Sequence, residues 1–269
     1  MAEGLTRASE KFSEEAQSKI SHEMIPNGEG DMDAPRAYVA NSLLLAMEPR
    51  MHMHLRHELA FIKAHWMVHT MAPQASPIDW KTYRAAAKLF FGSEAAADID
   101  TYEGKSLAAL KTQNRTYLKD SLGLCDFAWP ICVSFNTEDH LGDPTLEGKI
   151  YSAVTGNAME ELDQFADRIF TLQRAIMYNE GWRGVKDDII PEYNFTEPFE
   201  TDGLGREITY PGPDGEIRSA KGNILNRQKF FEMRKEYYKL RGWDQETGKP
   251  LAKTLERLEI QDLADSFAL

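Results

Sequence analysis

Helical periodicity interrupted by glycine is what most constrains this chain. Between Thr101 and Leu122 the apolar residues Leu107, Leu110, Tyr117, Leu118 and Leu122 recur every three or four positions, which lines one face of an α-helix. Gly123 follows directly. A glycine just past a last turn takes the left-handed conformation that ends helices, and it lets backbone approach a ligand closely. Asp120 and Cys125 therefore flank one turn, and an acid, a glycine and a thiol stand together at a helix end. A site is expected there, although residue chemistry alone favours a plainer reading, a buried thiol after an ordinary helix stop.

The same period recurs along the chain. Ser76-Pro77-Ile78-Asp79 reads as a helix start, with Ser76 as cap, Pro77 in the first turn and Asp79 facing the dipole. The helix is expected to bury Trp80, Tyr83, Ala87 and Phe90 and to close at Gly92, after which Ser93 caps a shorter helix. Asn157-x-x-Glu160 has the form of a capping box. It opens a long helix with Leu162, Phe165, Ile169, Leu172 and Ile176 on one side and Gly181 after its end. Phe230, Met233, Tyr237 and Leu240 define another, stopped at Gly242, and residues 255–269 are weakly helical. A polar amphipathic helix is expected over 2–20, ahead of a turn-rich surface connection at 26–31 whose acids lack the spacing of a calcium loop. Two β-prone runs, 205–210 and 216–220, are separated by Pro211-Gly212-Pro213-Asp214-Gly215, a hairpin signal. The fold class is thus mainly α, multi-helix, with one short β-hairpin near 206–220.

Composition excludes several function classes. With 42% hydrophobic and 28% charged residues in 269, the chain is of ordinary soluble globular type and long enough for a substantial core. Its formal net charge of −12, without a basic run, argues against nucleic acid or anionic membrane as a partner. Two cysteines cannot make a disulfide framework, no span of about 18 apolar residues occurs in the sequence, and no charged-then-apolar leader is expected. A cytoplasmic location is expected.

The histidines allow a metal reading. His54, Glu58, Phe61, His65 and His69 fall at i, i+4, i+7, i+11 and i+15, along one helix face. His65 and His69, four apart, could both reach one zinc or iron ion, with ligands from another helix completing the site. The His-Glu-x-x-His pattern is absent, because Phe61 stands where its second histidine would fall. Histidines on such a face more often pack or hydrogen-bond. A helical zinc- or iron-binding protein using His54, Glu58, His65 and His69, or a non-catalytic subunit of a larger oxidoreductase, are the alternatives to the reading that follows.

Asp120-x-x-Gly123-Leu124-Cys125 resembles the second pterin-binding motif of the tungsten-containing aldehyde:ferredoxin oxidoreductases. The flanks Thr101 to Lys105 and Ser152 to Gly156 are similar to segments bracketing that motif in the family, as are Leu225 to Phe230 and Tyr237 to Asp244 near the C-terminal end. Ala2 to Lys11 resembles a helix lying just after the family's first pterin motif, so the likeness runs in order through nearly the whole chain. Pro35-Arg36-Ala37-Tyr38 is similar to an element that usually reads Asp-Pro-Arg, with Ala34 here in place of the acid.

The resemblance implies a bis-pterin tungsten or molybdenum centre, a 4Fe-4S cluster, an aldehyde substrate and ferredoxin or a similar electron acceptor. By the same resemblance Asp120, Gly123, Leu124 and Cys125 bind the cofactors, with Asp120 anchoring pterin nitrogens and Cys125 serving as the fourth iron ligand. His54, with His52 as the alternate register, faces the substrate. Trp182, Arg183, Lys186 and Asp188 fall on a loop that approaches the cofactor; a solvated charged loop is the competing reading. The apolar run from Phe127 to Val133, with Trp129, suits a dry wall at the cluster edge. Two domains are implied: 1–75, like the end of the family's middle domain, and 76–269, a helical C-terminal domain carrying the pterin and cluster motif. The family's other three cluster cysteines, its first pterin motif and its N-terminal β domain have no counterpart here, and Cys132, seven residues after Cys125, fits no missing ligand. The chain is expected to be a C-terminal portion (a fragment, a misplaced start or a split-gene product), inactive without the N-terminal portion.

Overall fold

The structure, a computed structural model, describes residues 11, 14, 17, 35–48, 57–125, 129, 132–159, 161–201 and 205–267, with 57 and 58 as backbone only. His52, His54, the loop at 26–31 and most of the expected N-terminal helix lie outside these residues.

Eight α-helices occur among the described residues: α1 (Asn41–Met47), α2 (His57–Met71), α3 (Trp80–Phe91), α4 (Lys105–Ser121), α5 (Leu146–Thr155), α6 (Glu161–Asn179), α7 (Arg227–Arg241) and α8 (Ala252–Arg257). Short 3-10 turns follow several of them, and the C-terminal end closes with one at Gln261–Phe267. Strands β1 (Thr209–Pro211) and β2 (Ile217–Ser219) pair antiparallel with Tyr210 opposite Arg218, the hairpin the sequence predicts. The chain is mainly α, as expected. No described helix is long and apolar enough to cross a membrane.

Helix α4 lies at the centre, packed against α1, α3, α6 and α7. Toward α3, the Arg115 guanidinium lies over the Phe90 ring at 5.2 Å. Toward α6, Tyr117 meets Phe170 with ring centroids 5.4 Å apart, and Phe170 in turn stacks on Trp243 at 5.6 Å. Toward α7, the Ser106 hydroxyl donates to the Met233 carbonyl at 2.9 Å, and Arg241 donates to Gln113 and Asn114 at 2.7 Å each. Polar contacts of this kind fix the rotation of α4 as firmly as its apolar face does, because a buried donor left without an acceptor costs about 1–3 kcal/mol.

Several local expectations are corrected. The cap of α3 is Asp79, whose carboxylate accepts from the Thr82 amide at 2.8 Å; Ser76 is buried three residues earlier and accepts from the Ile78 amide. Asn157 does not form the expected cap; its side-chain amide donates to the Tyr151 hydroxyl at 2.8 Å, and α6 begins at Glu161. The buried stripe of α6 runs through Leu162, Ala166, Phe170 and Arg174, leaving Leu172 46% and Ile176 50% exposed. On α7, Leu240 is likewise exposed, while Arg234 and Arg241 are buried. In both helices an arginine with a distant partner displaces a leucine from the inner face.

Candidate functional site

Asp120 and Cys125 sit where α4 ends. Leu124 donates its amide to the Lys119 carbonyl at 2.8 Å, and Gly123 donates to the Asp120 carbonyl at 3.2 Å. This pair of bonds closes a helix on a left-handed residue, and Gly123 supplies it with φ of 70°. A methyl group built on Gly123 would meet no atom of the described residues within 4 Å, so the turn borders open space on that side. Asp120 and Gly123 are exposed, Leu124 is half-buried, and Cys125 carries an exposed free thiol. The Cys125 carbonyl accepts from the amide of half-buried Trp129 at 2.9 Å.

The two cysteines therefore separate. Cys132 is fully buried in the main core, whereas Cys125 faces outward, against the plainer reading of that thiol as a core residue. An outward thiolate beside an open glycine turn can give one ligand to a metal cluster whose other ligands come from elsewhere. Among the described residues no group of three or more His, Cys, Asp or Glu could hold a metal by itself.

Beneath the turn lies polar structure that hydropathy does not show. Tyr117, one helical turn before Asp120, donates to the carboxylate of Glu48 at 3.0 and 3.2 Å, and Gln173 of α6 touches both. Glu48, just past the end of α1, is 1% exposed. On another face of α4, Lys105, Thr112, Thr116 and Lys119 recur at i, i+7, i+11 and i+14, none more than 1% exposed. That recurrence at helical spacing was the available signal; it goes unread when only apolar residues are counted.

The histidines turn toward backbone and rings. His69 Nδ1 bonds the Ser76 carbonyl at 2.8 Å while its ring stacks on Trp66, and His65 Nδ1 lies 3.4 Å from the Ser76 hydroxyl. Burial lowers the pKa of His65, which favours the neutral ring that this packing needs. The Glu58 side chain and His54 are not among the described atoms.

The loop after α6 is tied from inside. Asp188 is fully buried and accepts from Arg174 at 2.7 Å, from the Trp182 indole at 2.9 Å and from Tyr238. Of the cofactor-loop candidates, Trp182 and Asp188 thus serve the loop's own structure. Arg183 is exposed and paired with Asp187, whose carboxyl it holds below the usual range, and Lys186 is exposed beside it.

Comparison with known protein families matches residues 1–260 to aldehyde ferredoxin oxidoreductase, domains 2 & 3. The match spans the α4 turn and every described α-helix, and on it the chain belongs to the aldehyde ferredoxin oxidoreductase family.

Proposed function

We propose that this chain is the C-terminal portion of a cytoplasmic pterin-dependent iron–sulfur oxidoreductase, which oxidises aldehydes to carboxylic acids and passes the electrons to ferredoxin or a similar acceptor. It works once completed by the N-terminal portion. The observation that carries this reading is the outward thiol of Cys125 on an open turn, within a chain of this family.

Asp120 would hold the pterin, since a carboxylate matches adjacent N–H donors and its charge strengthens the contact. Gly123 leaves space for that approach, with Leu124 at its side. Cys125 would give the fourth thiolate to a 4Fe-4S cluster, the other three coming from the N-terminal portion. Arg183 and Lys186 are exposed cations able to meet pterin phosphates, Arg183 already oriented by Asp187. His54 would face the substrate, donating a hydrogen bond to the carbonyl oxygen or moving a proton. When bound, the tungsten or molybdenum pterin supplies the two-electron redox step and the cluster drains the electrons.

The test is anaerobic production of the chain with and without the N-terminal portion, followed by metal and pterin analysis and a dye-linked aldehyde oxidation assay. Tungsten or molybdenum, about four irons per chain and activity are expected only with the N-terminal portion present. Cys125→Ala is expected to remove most of the iron while leaving the helical circular dichroism unchanged. Full iron content in that variant would reject Cys125 as a ligand, and stoichiometric zinc or iron that His65→Ala removes from the chain alone would reject the whole reading.

A further inference from the structure

The seam between α1 and α4 combines complete burial with missing partners. Both side-chain polar atoms of Asn41 and the hydroxyls of Thr112 and Thr116 have no hydrogen-bond partner among the described residues. All three residues are 1% exposed. Native structures satisfy nearly all such groups, by ordered water where protein does not reach.

Their placement is directional. Glu48 bonds Tyr117 near the C-terminal end of α4, while Ala37 accepts from Lys63, whose ammonium feels the charge of Lys105 at the other end. Asn41 opens α1, which packs against α4. Thr112 and Thr116 lie on the same face of α4 as Lys119 above and Lys105 below. Ala108 and Ala109, both fully buried, are the small residues between Lys105 and Thr112. Lys105 donates to the Ala95 carbonyl, and Asp98 next to it pairs with Arg84 at 3.2 Å. From there exposed Asp100, bonded to Arg218, reaches solvent.

We propose that this seam is a hydrated proton path, running from Lys119 beneath the Asp120–Cys125 turn through Thr116, Asn41 and Thr112 to Lys105, Asp98 and the surface. The path is about 21 Å long, fourteen residues of α4 at 1.5 Å each. It rests on the aldehyde-oxidising reading, in which aldehyde and water give carboxylic acid, two electrons and two protons. The electrons pass to a one-electron iron–sulfur protein, and the protons need a separate exit. The seam supplies hydroxyls and an amide that both donate and accept, with bound water between them. Burial brings Lys105 down to about 8, against the opposing charges of Asp98, Asp100 and Glu103, so it exchanges protons near neutrality.

The test is Thr112→Val/Thr116→Val, which removes both hydroxyls at nearly constant volume. In the full chain the melting temperature is expected to fall by about 2–4 °C, because the bound waters lose their partners. In the completed enzyme kcat is expected to fall about tenfold with KM unchanged. The solvent deuterium isotope effect should rise and metal content stay constant, and Thr112→Ser/Thr116→Ser should restore kcat. A higher melting temperature in the valine variant would mean a dry seam and would overturn the proposal. A lower one with unchanged kcat and isotope effect would overturn the path as well, leaving the water structural. If the completed wild-type enzyme oxidises no aldehyde, the functional reading falls and takes the path's role with it, while the melting shift still decides whether the seam is hydrated.

Discussion

Replacing Asp188 by alanine is expected to cost this chain about 3–5 kcal/mol, because it leaves the Arg174 guanidinium buried and unpaired. Neither side chain of the pair has any solvent exposure. Arg174 also lies over the rings of Trp243 at 5.0 Å and Tyr178 at 5.4 Å, so it cannot escape to water without breaking the aromatic layer around it. Asp188 is the common acceptor for Arg174, Trp182 and Tyr238, and three donors lose their partner together. Against a total stability of about 5–15 kcal/mol this is a large fraction. Urea unfolding should show the midpoint falling with little change in slope. The double change Arg174→Met/Asp188→Leu is expected to recover much of the loss, since it removes both charges and not one; a double variant no better than the single would show that geometry, and not charge, holds the loop.

Lys105→Met is expected to act in the opposite direction. Burial disfavours the ammonium and brings its pKa to about 8, with Lys63 shifted the same way by burial and by the charge of Lys105 itself. Between pH 8 and the ordinary lysine value of about 10.4, the unfolded chain binds more protons than the folded one, so wild-type stability rises with pH across that window. Below pH 8 both states carry the proton and the folded state bears the full penalty, about 3 kcal/mol at 1.4 kcal/mol per unit. Methionine is an unbranched side chain one atom shorter that removes the charge, at the loss of one bond to the Ala95 carbonyl. A gain of about 2 kcal/mol at pH 7 is expected, together with a smaller rise between pH 7 and 9.5. Equal pH slopes for the two proteins would show that Lys105 does not titrate in this window. If the α1–α4 seam conducts protons, the same variant gains stability and loses turnover, a separation that stabilising changes to a purely structural residue do not produce.

What the sequence made legible were features carried by local chemistry. The period of α4, its glycine stop and the Pro-Gly-Pro-Asp-Gly turn of the hairpin each needed only neighbouring residues, and each has the predicted type. Less legible were faces set by partners far along the chain. Leu172 and Ile176 look like the inner stripe of α6, yet Arg174 occupies it because Asp188 and Gly248 lie on the segments that close over that helix. Leu240 loses its place in the same way to Arg241, which reaches Asp167 on α6 and Asn114 on α4. A hydropathy pattern treats arginine as a surface residue and cannot register an ion pair between helices. At the site, residues 120–125 were visible as a turn, but whether the thiol faced in or out depended on where the following chain went. The buried threonines carried no apolar signal at all.

The central position of α4 also sets a time. Its inner face is finished by α7, whose Arg241 bonds Gln113 and Asn114 from 128 and 127 residues further along. A ribosome working at about 5–20 residues per second delivers that arginine on the order of ten seconds after Cys125. Throughout that interval the nascent chain carries the thiol without the framework that aims it. If the proposed redox centre forms on this turn, its assembly follows synthesis, and a cell making the protein must keep one exposed cysteine reduced until then.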